Sequence, residues 1–407
     1  MVKILYFGES WTSDGNADFS MTESYAEIVC HSEVLARLRC SVDCVEKNCT
    51  YVFSAQCIML ECKSSISPYA MISKYKADGT CIIRMYAQND NTEPWKKQLE
   101  FFVEEECAKI TVELGLKGGG KVRWLEPSLD PAPNREPRKV KIAATRLSSS
   151  KTTAEAMEKI ERAVDRAGKQ NTDVIILGEG INDMGCSLTA AQSAQDLNGE
   201  FCSLIRKKAI QYNTYIVMNF HEKDDERIFN TSLLIDRSGN IAGKYRKTHL
   251  SLNEYEQGIS PGNELPVFDT DFGKVGMLIC WDMYFPEPAR IMAMRGAELI
   301  LVSTAGDPSV RHVSRALENG IYVAVSGCML QNLNNCGIEP SKVIAPDGTV
   351  LAQTNTEGES AIAEIDLNDK RPIYWLSAAG AYTVPNNIYL NERRPDLYTD
   401  ICGGKIK

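Results

Sequence analysis

The chain has 407 residues, 43% of them hydrophobic and 24% charged, with a formal net charge of -9 at pH 7. That length exceeds what one hydrophobic core usually organises, so two domains are expected. The acidic balance argues against nucleic acid or an anionic membrane surface as partner, and no apolar run in the sequence approaches a membrane span.

At the amino terminus, Met1–Gly8 lacks the charged leader and the small-residue cleavage site of a secretory signal, which points to the cytoplasm. In that compartment the fourteen Cys read as reduced thiols rather than as a disulfide framework. Ala26 to Arg39 is helical in composition, whereas Cys81–Ala87, Leu99–Val103 and Ala108–Leu114 alternate in the manner of strands and suggest a β-sandwich. Leu125 to Arg138 holds four prolines and several charges and reads as extended interdomain chain. The expected division is a mostly-β domain over 1–130, a linker over 131–138 and a second domain over 139–407.

Downstream the pattern becomes apolar strands alternating with amphipathic helices, the signature of an α/β domain. Val140–Ala144 opens it, Thr153 to Ala167 is a helix with Ala, Met, Ile and Val on one face, and Asp173–Leu177 is a buried strand. Further strands are expected at Tyr215–Met218, Thr231–Ile235, Val275–Ile279, Leu299–Val302 and Tyr322–Val325, with a hairpin turn over Arg237–Asn240.

Three residues stand at ends of such strands. Cys280 closes a strand and precedes a helix beginning near Trp281, so backbone N–H groups, that of Trp281 among them, can stabilise a thiolate or an oxyanion. Glu179 lies between Gly178 and Gly180, after the strand ending at Leu177. Lys247 follows the hairpin in Gly243–Leu250. A thiol with an ordinary pKa of about 8.5 needs a base or a nearby cation, and these are the two candidates. Singly, each reads as a core thiol, a solvated carboxylate and a surface lysine; together, at three strand ends of one α/β domain, they point to a cysteine nucleophile. The four His show no HExxH spacing and no CxxC pair occurs, so no metal or cofactor is expected. Cys40, Cys44, Cys49, Cys57 and Cys62 supply the alternative of a zinc site.

With these residues in place, the sequence resembles the nitrilase superfamily of carbon–nitrogen hydrolases over roughly residues 138 to 400, in Glu179, Lys247 and Cys280 and in Asn230–Gly239, Pro286–Arg290, Gly296–Ile300, Arg315–Asn319 and Val343–Leu351. The resemblance implies a Glu–Lys–Cys triad, a second glutamate at Glu254 that orients the lysine, a four-layer αββα sandwich and homodimers or higher oligomers. It also implies cleavage of an amide or N-carbamoyl bond in a small molecule through a Cys thioester. The segment Cys280–Glu287 is similar to the nucleophile segment of carbamoyl-polyamine hydrolases. Nitrilase activity, acyl transfer and a catalytically silent scaffold are the alternatives. In the first domain, Trp95 to Leu129 is similar to the closing strands of jelly-roll carbohydrate-binding modules. Trp95 and Trp124 either stack on a sugar or, as the commoner use of tryptophan, fill the sandwich core.

Overall fold

The computed structural model describes residues 3 to 401 apart from 6, 9, 32–34, 44–45, 63–67, 91–92, 94, 184–185, 306–309, 329–339, 356–358, 377–380 and 399–400. The chain forms two compact units, Met1–Glu136 with Pro372–Lys407, and Pro137–Arg371.

The first unit consists of two seven-stranded sheets. One contains Tyr25–Cys30, Cys49–Cys62, Lys96–Val103 and Gly120–Ala132; the other contains Trp11–Asp14, Leu35–Asp43, Pro68–Tyr75, Cys81–Tyr86 and Lys109–Lys117. Their inward side chains form one core around Ile28, Leu38, Phe53, Ile72, Leu114 and Trp124. The helix expected over Ala26 to Arg39 is instead strand on both sides of residues 32–34. Ala36, Leu38, Cys40 and Val42 are buried at a period of two. Between them Arg37 hydrogen-bonds Asp14 and Arg39 hydrogen-bonds Glu113, both on neighbouring strands. Cross-strand pairing of this kind overrides a helical composition.

The boundaries also differ from expectation. The strand Gly120–Ala132 runs through the proline-rich stretch, accommodating Glu126 and Pro127 at a register shift between Leu125 and Ser128 where Glu126 adopts φ 49°. A bulge relieves those two residues of ladder hydrogen bonds that proline cannot donate. The tail from Pro372 belongs to the first unit, so the second ends at Arg371 rather than at 407. Within the first unit, Ala381–Thr383 extends one sheet beside Cys81–Tyr86, and the Asn387 side chain bonds both the amide and the carbonyl of Tyr86.

The second unit is built on a twelve-stranded sheet. Lys139–Leu147 pairs in parallel with Val174–Ile176 on one side and, through its last residues, with Tyr322–Cys328. Val174–Ile176 leads outward to Tyr215–Asp224, Arg227–Ile235 and Ile241–Arg246, while Tyr322–Cys328 leads to Leu299–Thr304 and Lys274–Ile279. Alternate residues of the first group share a core with the second, Val140, Ile142, Val217 and Leu234 packing with Val275, Met277, Leu301 and Val323. The other face of the first group carries Thr153–Gly168 and Glu200–Tyr212 through Ile160, Val164, Phe201 and Ile205. Pro286–Met294 and Val310–Asn319 contribute Ala289, Met292 and Ala316 to the shared core. Thr153–Gly168 begins where expected because the Thr152 hydroxyl accepts from the Glu155 amide at 3.2 Å, satisfying an N–H with no partner inside the helix. Among the described residues no helix is long and apolar enough to cross a membrane.

Candidate active site

Each expected residue immediately follows, or nearly follows, the carboxyl end of a strand. Glu179 comes after Val174–Ile176, Lys247 after Ile241–Arg246 and Cys280 after Lys274–Ile279. The sharp turn at Glu179 is eased by Gly180, whose φ of 63° glycine adopts without the cost a side chain brings and whose amide donates to Asn219 Oδ1 at 2.7 Å. Cys280 itself has φ 40°, an uncommon and strained value for a residue with a side chain, at the joint between its strand and the 3₁₀ turn Cys280–Tyr284.

The charged groups converge. Lys247 Nζ lies 2.9 Å from Glu179 Oε1 and 2.9 Å from Glu254 Oε2, and only 2% of Lys247 is exposed. Of the two glutamates near the end of the lysine segment, Glu254 is buried and Glu256 is exposed. Glu254 Oε2 also accepts from the Ser251 amide and hydroxyl at 2.8 and 2.9 Å. Glu179 Oε2 accepts from the Ala305 amide at 3.0 Å, which fixes the carboxylate at the end of Leu299–Thr304.

Electrostatics follow from this layout. Burial pushes the Lys247 pKa down, but Glu179, Cys280 and Glu254 outweigh it and hold the ammonium charged well above the ordinary lysine range. Burial pushes Glu254 up, and Lys247 more than reverses it, so that carboxyl titrates below its usual value. Cys280 keeps part of its surface open, yet burial first and the Glu179 charge second push its thiol up to about 12. Lys247, the Thr304 side chain and the Ala305 amide oppose that rise without cancelling it. These surroundings favour the protonated thiol, so attack by its sulfur would need a base to take the proton.

Three further residues complete the site and were not anticipated. Asn230 Nδ2 donates to Glu179 Oε1 at 2.9 Å and to Glu254 Oε1 at 2.8 Å, holding two carboxylates on one amide. Asn219 Nδ2 in turn donates to Asn230 Oδ1 at 2.8 Å and orients it. Asp282 is fully buried and accepts from the Ile279 and His249 amides, both at 3.0 Å. Burial, with the Asp282 charge behind it, keeps the Tyr245 phenol that donates to this carboxylate protonated far above its ordinary range. The available signal was a polar side chain inside an otherwise apolar strand: Asn219 within Tyr215–Phe220 and Asn230 at the head of Thr231–Ile235.

Aromatic rings crowd the turn after Cys280. Trp281 stacks on Tyr284 at 4.0 Å and His249 on Phe285 at 4.3 Å. Three loops of the sequence are the candidates for setting specificity: Glu254 to Glu264 is described throughout, whereas 184–185 of Asp183–Asp196 and 306–309 of Gly306–Val313 lie outside the described residues. In the first unit, Trp124 is fully buried in the core and Trp95 is half exposed. Of the five cysteines weighed as zinc ligands, Cys44 lies outside the described residues. Among the described residues no group of three or more His, Cys, Asp or Glu is placed to hold a metal.

The profile of the family described as "Carbon-nitrogen hydrolase" matches residues 141–374. The chain is 33% identical over 241 residues to the "Probable nitrilase C965.09" of Schizosaccharomyces pombe, covering 56% of this chain and 85% of that protein. It is 30% identical over 229 residues to the 2-oxoglutaramate amidase of Bacillus subtilis, covering 54% of this chain and 88% of that one. The crystal structure of a carbon–nitrogen hydrolase from Helicobacter pylori G27 superposes with a TM-score of 0.54 at 22% identity, over 65% of this chain and 98% of that one, a likeness of fold.

Proposed function

The chain belongs to the carbon–nitrogen hydrolase family, within the nitrilase superfamily, and from that premise we propose that it cleaves an amide or N-carbamoyl bond of a small molecule through a Cys280 thioester. The observation that carries the reading is the buried contact of Lys247 with Glu179 and Glu254 in a site where the same Glu179 acts electrostatically on the Cys280 thiol. Glu179 takes the thiol proton as sulfur attacks the carbonyl carbon. Lys247 and the Trp281 amide stabilise the oxyanion that forms. Glu179 then passes the proton to the departing amine, and later deprotonates the water that hydrolyses the thioester. Splitting the reaction into acylation and deacylation replaces one high barrier with two lower ones.

Glu254 keeps its charge and holds the lysine in place, so that Lys247 need not reorganise when the oxyanion appears. On this reading the second unit is an αββα arrangement, its two strand groups facing one another across the shared core with helices outside. The first unit is a jelly-roll-like module.

Purified protein incubated with a panel of primary amides and N-carbamoyl amines should release ammonia. Undiminished turnover by Cys280→Ala on a substrate of the wild type would end the case for this nucleophile.

A further inference from the structure

Lys247 follows the strand at one end of the sheet order and Cys280 the last strand but one at the other, so no backbone ladder joins Ile241–Arg246 to Lys274–Ile279. Any fixed distance between the ammonium and the sulfur must come from elsewhere. Asp282, two residues beyond the nucleophile, spans that gap. Its Oδ2 accepts from the Ile279 amide at 3.0 Å and the Tyr245 hydroxyl at 2.8 Å, one donor from each strand. Its Oδ1 accepts from the His249 amide at 3.0 Å and the Thr248 hydroxyl at 3.2 Å, and it lies 3.0 Å from His249 Nδ1. The donors thus flank Lys247 on both sides in sequence.

A fully buried carboxylate with its lone pairs filled in this way cannot shift without leaving several groups unpaired, which makes it a rigid joint rather than a passive filler. We propose that Asp282 is a positioning residue: it sets the separation and orientation of the Lys247 ammonium relative to the Cys280 sulfur, and it holds the His249 ring against Phe285 beside the nucleophile turn. The inference rests on the reading of Cys280 as nucleophile and Lys247 as oxyanion donor. It adds a residue that touches neither substrate nor the reacting atoms.

Asp282→Asn keeps the shape but replaces one acceptor by a donor facing N–H or O–H groups. Tyr245→Phe removes one of the donors to Asp282, together with the hydroxyl's contacts to Thr248, and is the milder probe. For each folded, full-length variant, kcat and KM are measured on the best wild-type amide, and the rate of Cys280 alkylation by iodoacetamide is followed by mass spectrometry. Misplacing the reacting groups by about 1 Å predicts a kcat loss of about 10²-fold in Asp282→Asn, and a smaller shift a loss of about tenfold in Tyr245→Phe, with KM changed by less than about threefold. Cys280 alkylation should change in the same order.

A residue that merely supports the fold would lower the melting temperature while leaving kcat per folded molecule and the alkylation rate as in wild type, and that result overturns the proposal. Should Asp282→Asn not fold, Tyr245→Phe decides by the same two readouts. Failure of the wild type to turn over any amide or carbamoyl compound would count against the hydrolase reading instead. Alkylation would then still judge Asp282: a changed rate supports the joint and an unchanged one overturns it.

Discussion

Lys247 and Glu179 meet at 2.9 Å across 68 residues of sequence, with the lysine all but sealed from solvent. A buried cation between two carboxylates is costly to leave half made, because removal of one partner strands the others without hydration.

Lys247→Ala is therefore expected to lose both stability and activity. Glu179 and Glu254 would face each other across Asn230 with no intervening charge, a destabilisation of about 3–5 kcal/mol by urea titration. Loss of an oxyanion donor should cost about 10²- to 10³-fold in kcat. Lys247→Ala combined with Glu254→Gln should recover part of the stability and none of the activity. An equally unstable double variant would refute the charge argument.

The Cys280 thiol gives a pH signature. Because burial and Glu179 push it up to about 12, alkylation by iodoacetamide should keep rising with pH beyond the region near 8.5 where ordinary thiols level off. Removing the Glu179 charge removes one cause of the rise, so Glu179→Gln should shift the alkylation profile toward lower pH even as amide turnover collapses. A profile that levels off near pH 8 in wild type would contradict this electrostatic picture. Glu254 behaves in the opposite sense. Its carboxyl is depressed in the folded state, so the stability it contributes is present above the unfolded value of about 4.3 and is lost as pH falls through the folded one.

Asn230 offers a sharper test of the carboxylate pairing. Asn230→Asp replaces the shared donor by a third acceptor between Glu179 and Glu254, and the crowding of like charge should force one carboxyl to hold a proton. Amide turnover at pH 7 should fall by about 10²-fold or more, the scale set by losing one donor in a preorganised site. Asn230→Asp with turnover within a factor of about two of wild type would show that the bridge is dispensable on that scale.

Trp124 settles one alternative raised by its sequence. It is fully enclosed in the sandwich core, so it fills space rather than meeting a sugar face. Trp124→Ala should destabilise the first unit by about 3–5 kcal/mol in chemical denaturation. A variant as stable as wild type would contradict that placement.

What the sequence made legible was local. Strands such as Val275–Ile279 and the helix from Thr153 were readable because apolar residues recur at a period set by the backbone, and Cys280 because a thiol stood where a strand met a turn. Asp282 and Asn230 were not readable as members of the site. Their roles depend on hydrogen-bond partners far away in sequence, the donor Tyr245 for the one and two acceptor glutamates for the other, and only the folded sheet brings these together. The stretch from Ala26 misled for the same reason: its strand character comes from partners at Arg123 and Glu113, not from its own composition. The proline run reads as a break, yet a bulge absorbs the two residues that a ladder rejects and the strand carries on to Ala132.

The φ of 40° at Cys280 has an evolutionary reading as well. A side chain there is held in a backbone region that glycine enters freely, so the protein tolerates local strain for the sake of a sulfur atom in the right place. Cys280→Gly relieves strain of about 1–2 kcal/mol but gives up the packing of this side chain against the core and costs backbone entropy, so thermal unfolding should change by less than about 1 kcal/mol while, on the proposed function, turnover is lost. Stability is then close to indifferent between the two residues, and on the proposed function it is turnover that keeps the cysteine.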